Sequence, residues 1–488
     1  MTGGGNAKYK AVAILAVAIA AMYLVYLSHQ IGLVFQAIAA FVILLVSGIG
    51  MQRSMGFKGG YGLILMGGKT GISTIERLSK SKGSFWEKFA MWGLTLGLGI
   101  AAYPLVKGRM KKSTYLLGLA TLVLTEVFVI PYVAYGLQFI RLPGISITAT
   151  QFTLPDLSIY LRPFELVQLS VTTIFGYAGS AMFSILYNSA SILYSFAGYL
   201  ANPTPAGAAA SGITSQIPGV APVIPGITMP LIAGILSLAI LLVVHEFSHG
   251  VLARRAKIKI KQVGVLLYGF IPIGGFVEPD ERQVVKAKKE VQTNIFSAGI
   301  AANFLFMLIF FALTIILVVF IAPRAYSYGV VILSTSPGYP AHGLIPNGTV
   351  VKAWNGHAVS NLSSLEAAAA SDAPNSLVTV TAGNGTVYSM TALADPSNHS
   401  RGLIGVSLGY KPILDTPAAQ LAYFLFTLFS LSMLLNFLVA VVNMLPIPGF
   451  DGWRIYMSNI KSTRLVNTLG ALVIILIVVN IIPWFFYL

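Results

Sequence analysis

His245 and His249 stand four residues apart in the stretch Leu242-Val-Val-His-Glu-Phe-Ser-His-Gly250. On a helix that spacing puts both imidazoles on one face, one turn apart. Two imidazoles so placed can share a tetrahedral Zn2+ and leave room for a further protein ligand and a water. Glu246 follows the first histidine, where a carboxylate is in reach of a water that must lose its proton. The bland alternative is two helix-end histidines beside a snorkelling glutamate.

Two histidines do not complete a site. His29 falls in a loop, and His342, His357 and His399 fall in a polar module far along the chain. The best third ligand is Asp451, in Val442-Asn443-Met-Leu-Pro446-Ile-Pro448-Gly-Phe-Asp451-Gly452. A carboxylate at that depth costs about 2.5–3.5 kcal/mol on insertion scales unless something compensates it. The two prolines break the helix there and free backbone groups to meet a ligand or substrate. Asp451 as a simple cap of the break is the competing reading.

The elements that position these residues are membrane helices. Of the 488 residues 56% are hydrophobic and only 9% charged, and apolar runs of 18 residues or more recur, which excludes an ordinary soluble domain. The net charge of +16 fits basic cytoplasmic loops better than nucleic-acid binding. The absence of cysteine excludes disulfides, thiolate-bound metal and thiol catalysis. The pattern predicts an α-helical polytopic membrane protein of about eight or nine spans, the first a retained helix rather than a removed signal.

Spans are expected at 11–28, 33–50, 89–106, 115–136, 229–250, 293–322, 418–445 and 467–486. Residues 51–88, Gly-rich and basic, read as a surface segment with an amphipathic stretch around Ile72 to Phe85. Residues 137–165 are polar enough to leave the bilayer core. Residues 166–200 fit a ninth span, a re-entrant hairpin or a helix lying on the bundle, and 201–228 reads as a Pro-, Gly- and Ala-rich linker. Ile258 to Val277 alternates and is predicted to be a β-hairpin dipping toward the histidines. Basic residues after His249 put that end of the span on the cytoplasmic side. Residues 325–410 hold only two basic residues, Lys352 and Arg401, and four N-x-S/T sequons at Asn347, Asn361, Asn384 and Asn398, so they read as an extracytoplasmic module. The domain reading is therefore 1–228, 229–324, 325–410 and 411–488.

The two motifs together resemble the site-2 protease family of intramembrane zinc metalloproteases. Ser297-Ala-Gly299-Ile-Ala-Ala-Asn303 resembles that family's G-x-x-x-N element, and Gly274-Gly-Phe-Val-Glu278-Pro-Asp280 its membrane-re-entrant β-loop in the style of archaeal members. Ser336 to Gly356 looks like the carboxylate-loop half of a PDZ domain. The resemblance covers residues from about 229 to the C-terminus. It implies that His245, His249 and Asp451 bind Zn2+, that Glu246 is the general base and later proton donor, and that Asn303 and Asn443 orient substrate or polarise the scissile carbonyl. Without it, Asn303 is as readily a helix–helix contact and Asn443 a local cap. It further implies transmembrane protein substrates within the lipid bilayer, for which the hairpin could supply a strand edge. The alternative is a catalytically inactive zinc-binding scaffold or transporter. A transporter would need a polar through-path or paired repeats, and neither is evident.

Overall fold

The structure, a computed structural model, describes residues 3–28, 32–81, 83–141, 157–201 and 223–483. His29 and most of the expected 201–228 linker lie outside them, as does much of the polar 137–165 stretch. The chain divides into two compact units, a large one drawn from residues 1–146, 154–313 and 427–488 and a smaller one centred on 314–426.

The large unit begins with a helical hairpin, α1 (Gly3–Leu27) and α2 (Leu33–Met55). Two short strands follow, β1 (Lys58–Gly60) and β2 (Leu63–Gly68), then the amphipathic helix α3 (Ile72–Ser79). The strands correct the expectation that 51–88 is only a surface segment. α4 (Phe85–Leu98), α5 (Lys112–Phe128) and α6 (Pro163–Ala201) complete the N-terminal half. Phe164 meets Phe183 and Tyr187 at ring-centroid distances of 5.8 and 4.9 Å, so the three readings of 166–200 resolve into a helical hairpin within α6 that folds back at Gly176, whose φ of 65° and ψ of −166° are non-helical. A side chain there would collide with the backbone of Gly97, its Cβ 2.3 Å from the carbonyl. Only glycine supplies both the conformation and the clearance.

The motif helix α7 runs Leu231–Arg255. Its last turn is basic, and these cations tie the N-terminal half to it: Arg254 pairs with Glu76 of α3 at 3.0 Å and Arg255 with Glu87 of α4 at 2.7 Å. Arg255 also donates to the carbonyls of Ser79, Ser81 and Gly83. β3 (Ile260–Tyr268) and β4 (Ile271–Pro279) form the expected hairpin. They do not stand alone, because β2 pairs antiparallel with β3 from Leu63↔Tyr268 to Gly68↔Val263. The sheet order is β1-β2-β3-β4. The long helix α8 spans Lys289–Ile316.

The small unit is α+β. Strands β5 (Tyr328–Thr335), β6 (Thr349–Trp354) and β7 (His357–Ala358) precede helix α9 (Leu362–Ala369). Then come β8 (Leu377–Ala382), β9 (Val387–Thr391), β10 (Leu393–Asp395), β11 (Asn398–Leu403) and β12 (Val406–Pro412). The main sheet runs β12-β5-β6-β8-β9, with β7 on β6. Its core includes Val330, Ile332, Trp354, Leu365, Val378 and Val380. Asn361 and Ser364 form a capping box at the start of α9, satisfying two orphan helix amides. Asp372, buried, accepts from the Trp354 indole at 2.9 Å and the Asn355 amide at 2.7 Å.

α10 (Pro417–Val442), α11 (Asp451–Asn459) and α12 (Thr463–Val479) return the chain to the large unit. Among the described residues seven helices are long and apolar enough to cross a membrane, or eight if the bent pair Lys112–Phe128 and Ile130–Phe139 is one span. The protein is a polytopic α-helical membrane protein carrying β elements.

Candidate metal centre

The histidines arrive on α7 because Leu231–Val244 is an uninterrupted apolar helix that delivers residues 245–249 at its far end. α10 packs beside it through a buried Ser432 to Ser237 hydroxyl contact of 2.8 Å. α10 then ends at Val442, and the Pro446 and Pro448 segment bridges to α11, whose first residue is Asp451. The bridge is closed on itself. The Gly452 amide donates to the Asn443 carbonyl at 2.6 Å and the Tyr456 hydroxyl to the Met444 carbonyl at 2.8 Å.

This brings the three predicted ligands together. His245 Nε2 and His249 Nε2 each lie 3.2 Å from Asp451 Oδ2, and the two nitrogens lie 3.1 Å apart. Metal–ligand bonds of 2.0–2.1 Å at the tetrahedral angle require ligand separations of about 3.3–3.4 Å. The fit is close. Asp451 Oδ2 is buried without a hydrogen-bond donor, as expected of an oxygen arranged for a cation.

The tautomers agree with that use. His249 Nδ1 lies 2.6 Å from the Ile295 carbonyl, which can only accept, so Nδ1 carries the proton and Nε2 its lone pair. His245 Nδ1 lies 3.1 Å from the side-chain amide of Asn303, whose own Oδ1 is buried and unpartnered. A half-turn of that amide presents Oδ1 to the ring, gives the oxygen its partner, and frees His245 Nε2 to bind a cation. Asn303 is fully buried and stands behind His245, at the ring nitrogen away from Asp451. Gly299, one turn earlier on α8, clears the space for both rings. A Cβ there would come within 2.5 Å of His249 and 2.6 Å of His245.

Glu246, between the two histidines in sequence, is held by the sheet. The Val277 amide of β4 donates to its Oε2 at 3.0 Å. A mostly apolar cleft of about 530 Å3 opens beside it, with walls that include Phe247 on α7, Met66 and Gly67 on β2, and Gly275 on β4. Sequence reasoning does not find the contribution of β2, because the apolar run Leu63–Met66 is too short to distinguish a strand from a loop. Asn443 is half-buried, and its side-chain amide makes no hydrogen bond among the described residues.

Comparison with known proteins agrees with the motifs. An uncharacterized protein of Methanocaldococcus jannaschii is 28% identical over 242 residues, 49% of this chain, and the match spans 61% of that relative's length. The family model described as Peptidase family M50 matches residues 233–482, taking in the histidine pair, Asn303, Asn443 and Asp451 together. The chain belongs to that family, the site-2 protease family of intramembrane metalloproteases.

Proposed function

We propose that the protein is an intramembrane zinc endopeptidase that hydrolyses peptide bonds within the spans of other membrane proteins, in regulated intramembrane proteolysis. The observation that carries this reading is the meeting of three electron-pair donors from α7 and α11 within one hydrogen-bond length, with the Glu246 carboxylate one residue from His245 in sequence. His245, His249 and Asp451 would hold the ion. Bound there, Zn2+ polarises a carbonyl and brings the pKa of a water toward about 7.

Glu246 takes the proton of the attacking water and returns it to the leaving amine. The Val277 amide fixes the carboxylate for this by donating to one oxygen, leaving the other as base. Asn443, with an unengaged amide, is the donor to the developing oxyanion. Asn303 acts through His245, holding its tautomer.

A substrate span must first unwind, and its freed amides and carbonyls cost several kcal/mol each in hydrocarbon unless they are paired again. β3 is already covered by β2, so β4 is the strand whose outer edge can pair an extended segment next to Glu246. The sequence reading supplies the rest of the proposal: a cell-membrane location with the site near the cytoplasmic face, and a PDZ-like extracytoplasmic module at 325–410.

The test is cleavage of single-span substrates in detergent by wild type and Glu246→Gln, with zinc measured in both. Wild type is expected to cut within the span, and the variant to keep its zinc while losing at least about a hundredfold in rate. Zinc in both with no cleavage of any substrate would instead favour a scaffold. Cleavage surviving in a metal-free Glu246→Gln would overturn the assignment.

A further inference from the structure

A second cavity, of about 390 Å3, lies in the large unit, and none of the metal ligands is in its lining. Its walls are almost wholly apolar and come from α6 (Phe175, Met182), the turn after α4 (Ala101), Pro446, Tyr456 and Leu469 of α12. A cavity of this kind does not hold water, which needs several polar partners. Left empty, its lining forfeits dispersion contacts. α4 and α6 are membrane-spanning by length and composition, so the liquid around them is acyl chain.

The turn next to one wall is basic. Ile460 and Val466 belong to the wall and flank the turn into α12, where Lys461 and Arg464 are exposed. Neither side chain forms an ion pair or hydrogen bond among the described residues. α12 has no acidic residue in its first turn, so its amide end adds to the positive field. Unpaired cations in the turn that adjoins an apolar slot between helices match a phosphate with a hydrocarbon tail.

We propose that this cavity binds one anionic phospholipid, its phosphate held by Lys461 and Arg464 and one acyl chain lying along Phe175, Met182 and Leu469. The proposal does not depend on the hydrolytic reading. It does bear on the metal centre, because Pro446 and Tyr456 belong to the bridge that carries Asp451. Gly470 of α12 presses on the same bridge, with its Cβ position 2.4 Å from the Pro446 carbonyl oxygen. A chain in the cavity would touch that bridge at Pro446 and Tyr456.

Native mass spectrometry of the full chain in detergent, titrated with phosphatidylglycerol or phosphatidylcholine, tests this. Wild type is expected to retain one phosphatidylglycerol with at least tenfold preference over phosphatidylcholine, and its thermal midpoint to rise with occupancy. Lys461→Ala with Arg464→Ala, both on the surface, should lose the preference while still folding. Ala101→Phe should fill the slot and lose the bound lipid and the thermal response. If the double variant keeps the preference, or if folded Ala101→Phe binds phosphatidylglycerol like wild type, the proposal is wrong. Should Ala101→Phe fail to fold, the double variant alone decides.

Discussion

Gly299 and Asn303 sit one turn apart on α8 and govern the same histidine pair by opposite means, one by lacking a side chain and the other by offering one. Gly299→Ala drives a methyl to within 2.6 Å of both rings, a distance at which something must move. We expect zinc affinity to fall by roughly 10–100-fold, read by competition with a coloured chelator. Asn303→Leu keeps the volume but removes the acceptor for His245 Nδ1. It should weaken zinc by a similar factor of about 10–100, whereas Asn303→Asp should restore much of it. If Asn303 only held helices together, Asn303→Leu would lower the thermal midpoint and leave the zinc competition unchanged. In the small unit, Asp372→Ala strands the buried Trp354 indole and the Asn355 amide. Two charge-assisted hydrogen bonds are lost, so that unit should be destabilised by about 2–4 kcal/mol, measured by its hydrogen exchange.

At the scale of elements, the end of α7 is fixed by Arg255, which ties it to α4 and to the three carbonyls leading into that helix. Arg255→Ala removes a mostly buried ion pair and leaves those acceptors unmet. A loss of about 2–3 kcal/mol is expected, seen as a lower thermal midpoint in detergent. The pieces of this frame differed in how legible they were. Helices α7, α8 and α10 announce themselves, because twenty apolar residues have one low-energy form in lipid. The β3–β4 hairpin is local, so its alternation and glycines suffice to find it. β2 is not local. Its partner is Val263–Tyr268, far along the chain, and a six-residue strand ending in two glycines carries no pattern of its own. Likewise His245, His249 and Asp451 were readable as types at telling positions. The place of Asn303 behind His245 depends on how α8 crosses α7, which no spacing encodes.

At the scale of the molecule, the metal joins α7 to α11 and so contributes to the stability of the whole large unit. Free zinc at a hundred times its dissociation constant adds about 2.7 kcal/mol. Stripping the ion with a chelator should therefore lower the thermal midpoint of wild type and leave that of His245→Ala unmoved.

The polar clamp between α6 and α12 has a consequence in time. Asn188 donates to Asn480 at 2.6 Å, and Asn480 donates to Ser189 at 2.7 Å, across 292 and 291 residues. At a synthesis rate of about 5–20 residues per second, α6 waits about 15–60 s in the bilayer before Asn480 exists. During that wait Asn188 and Ser189 lack the partner they have in the finished fold, on a helix already delivered to lipid. The N-terminal half therefore enters the membrane with this polar pair unfinished, and the clamp closes only once α12 has been made.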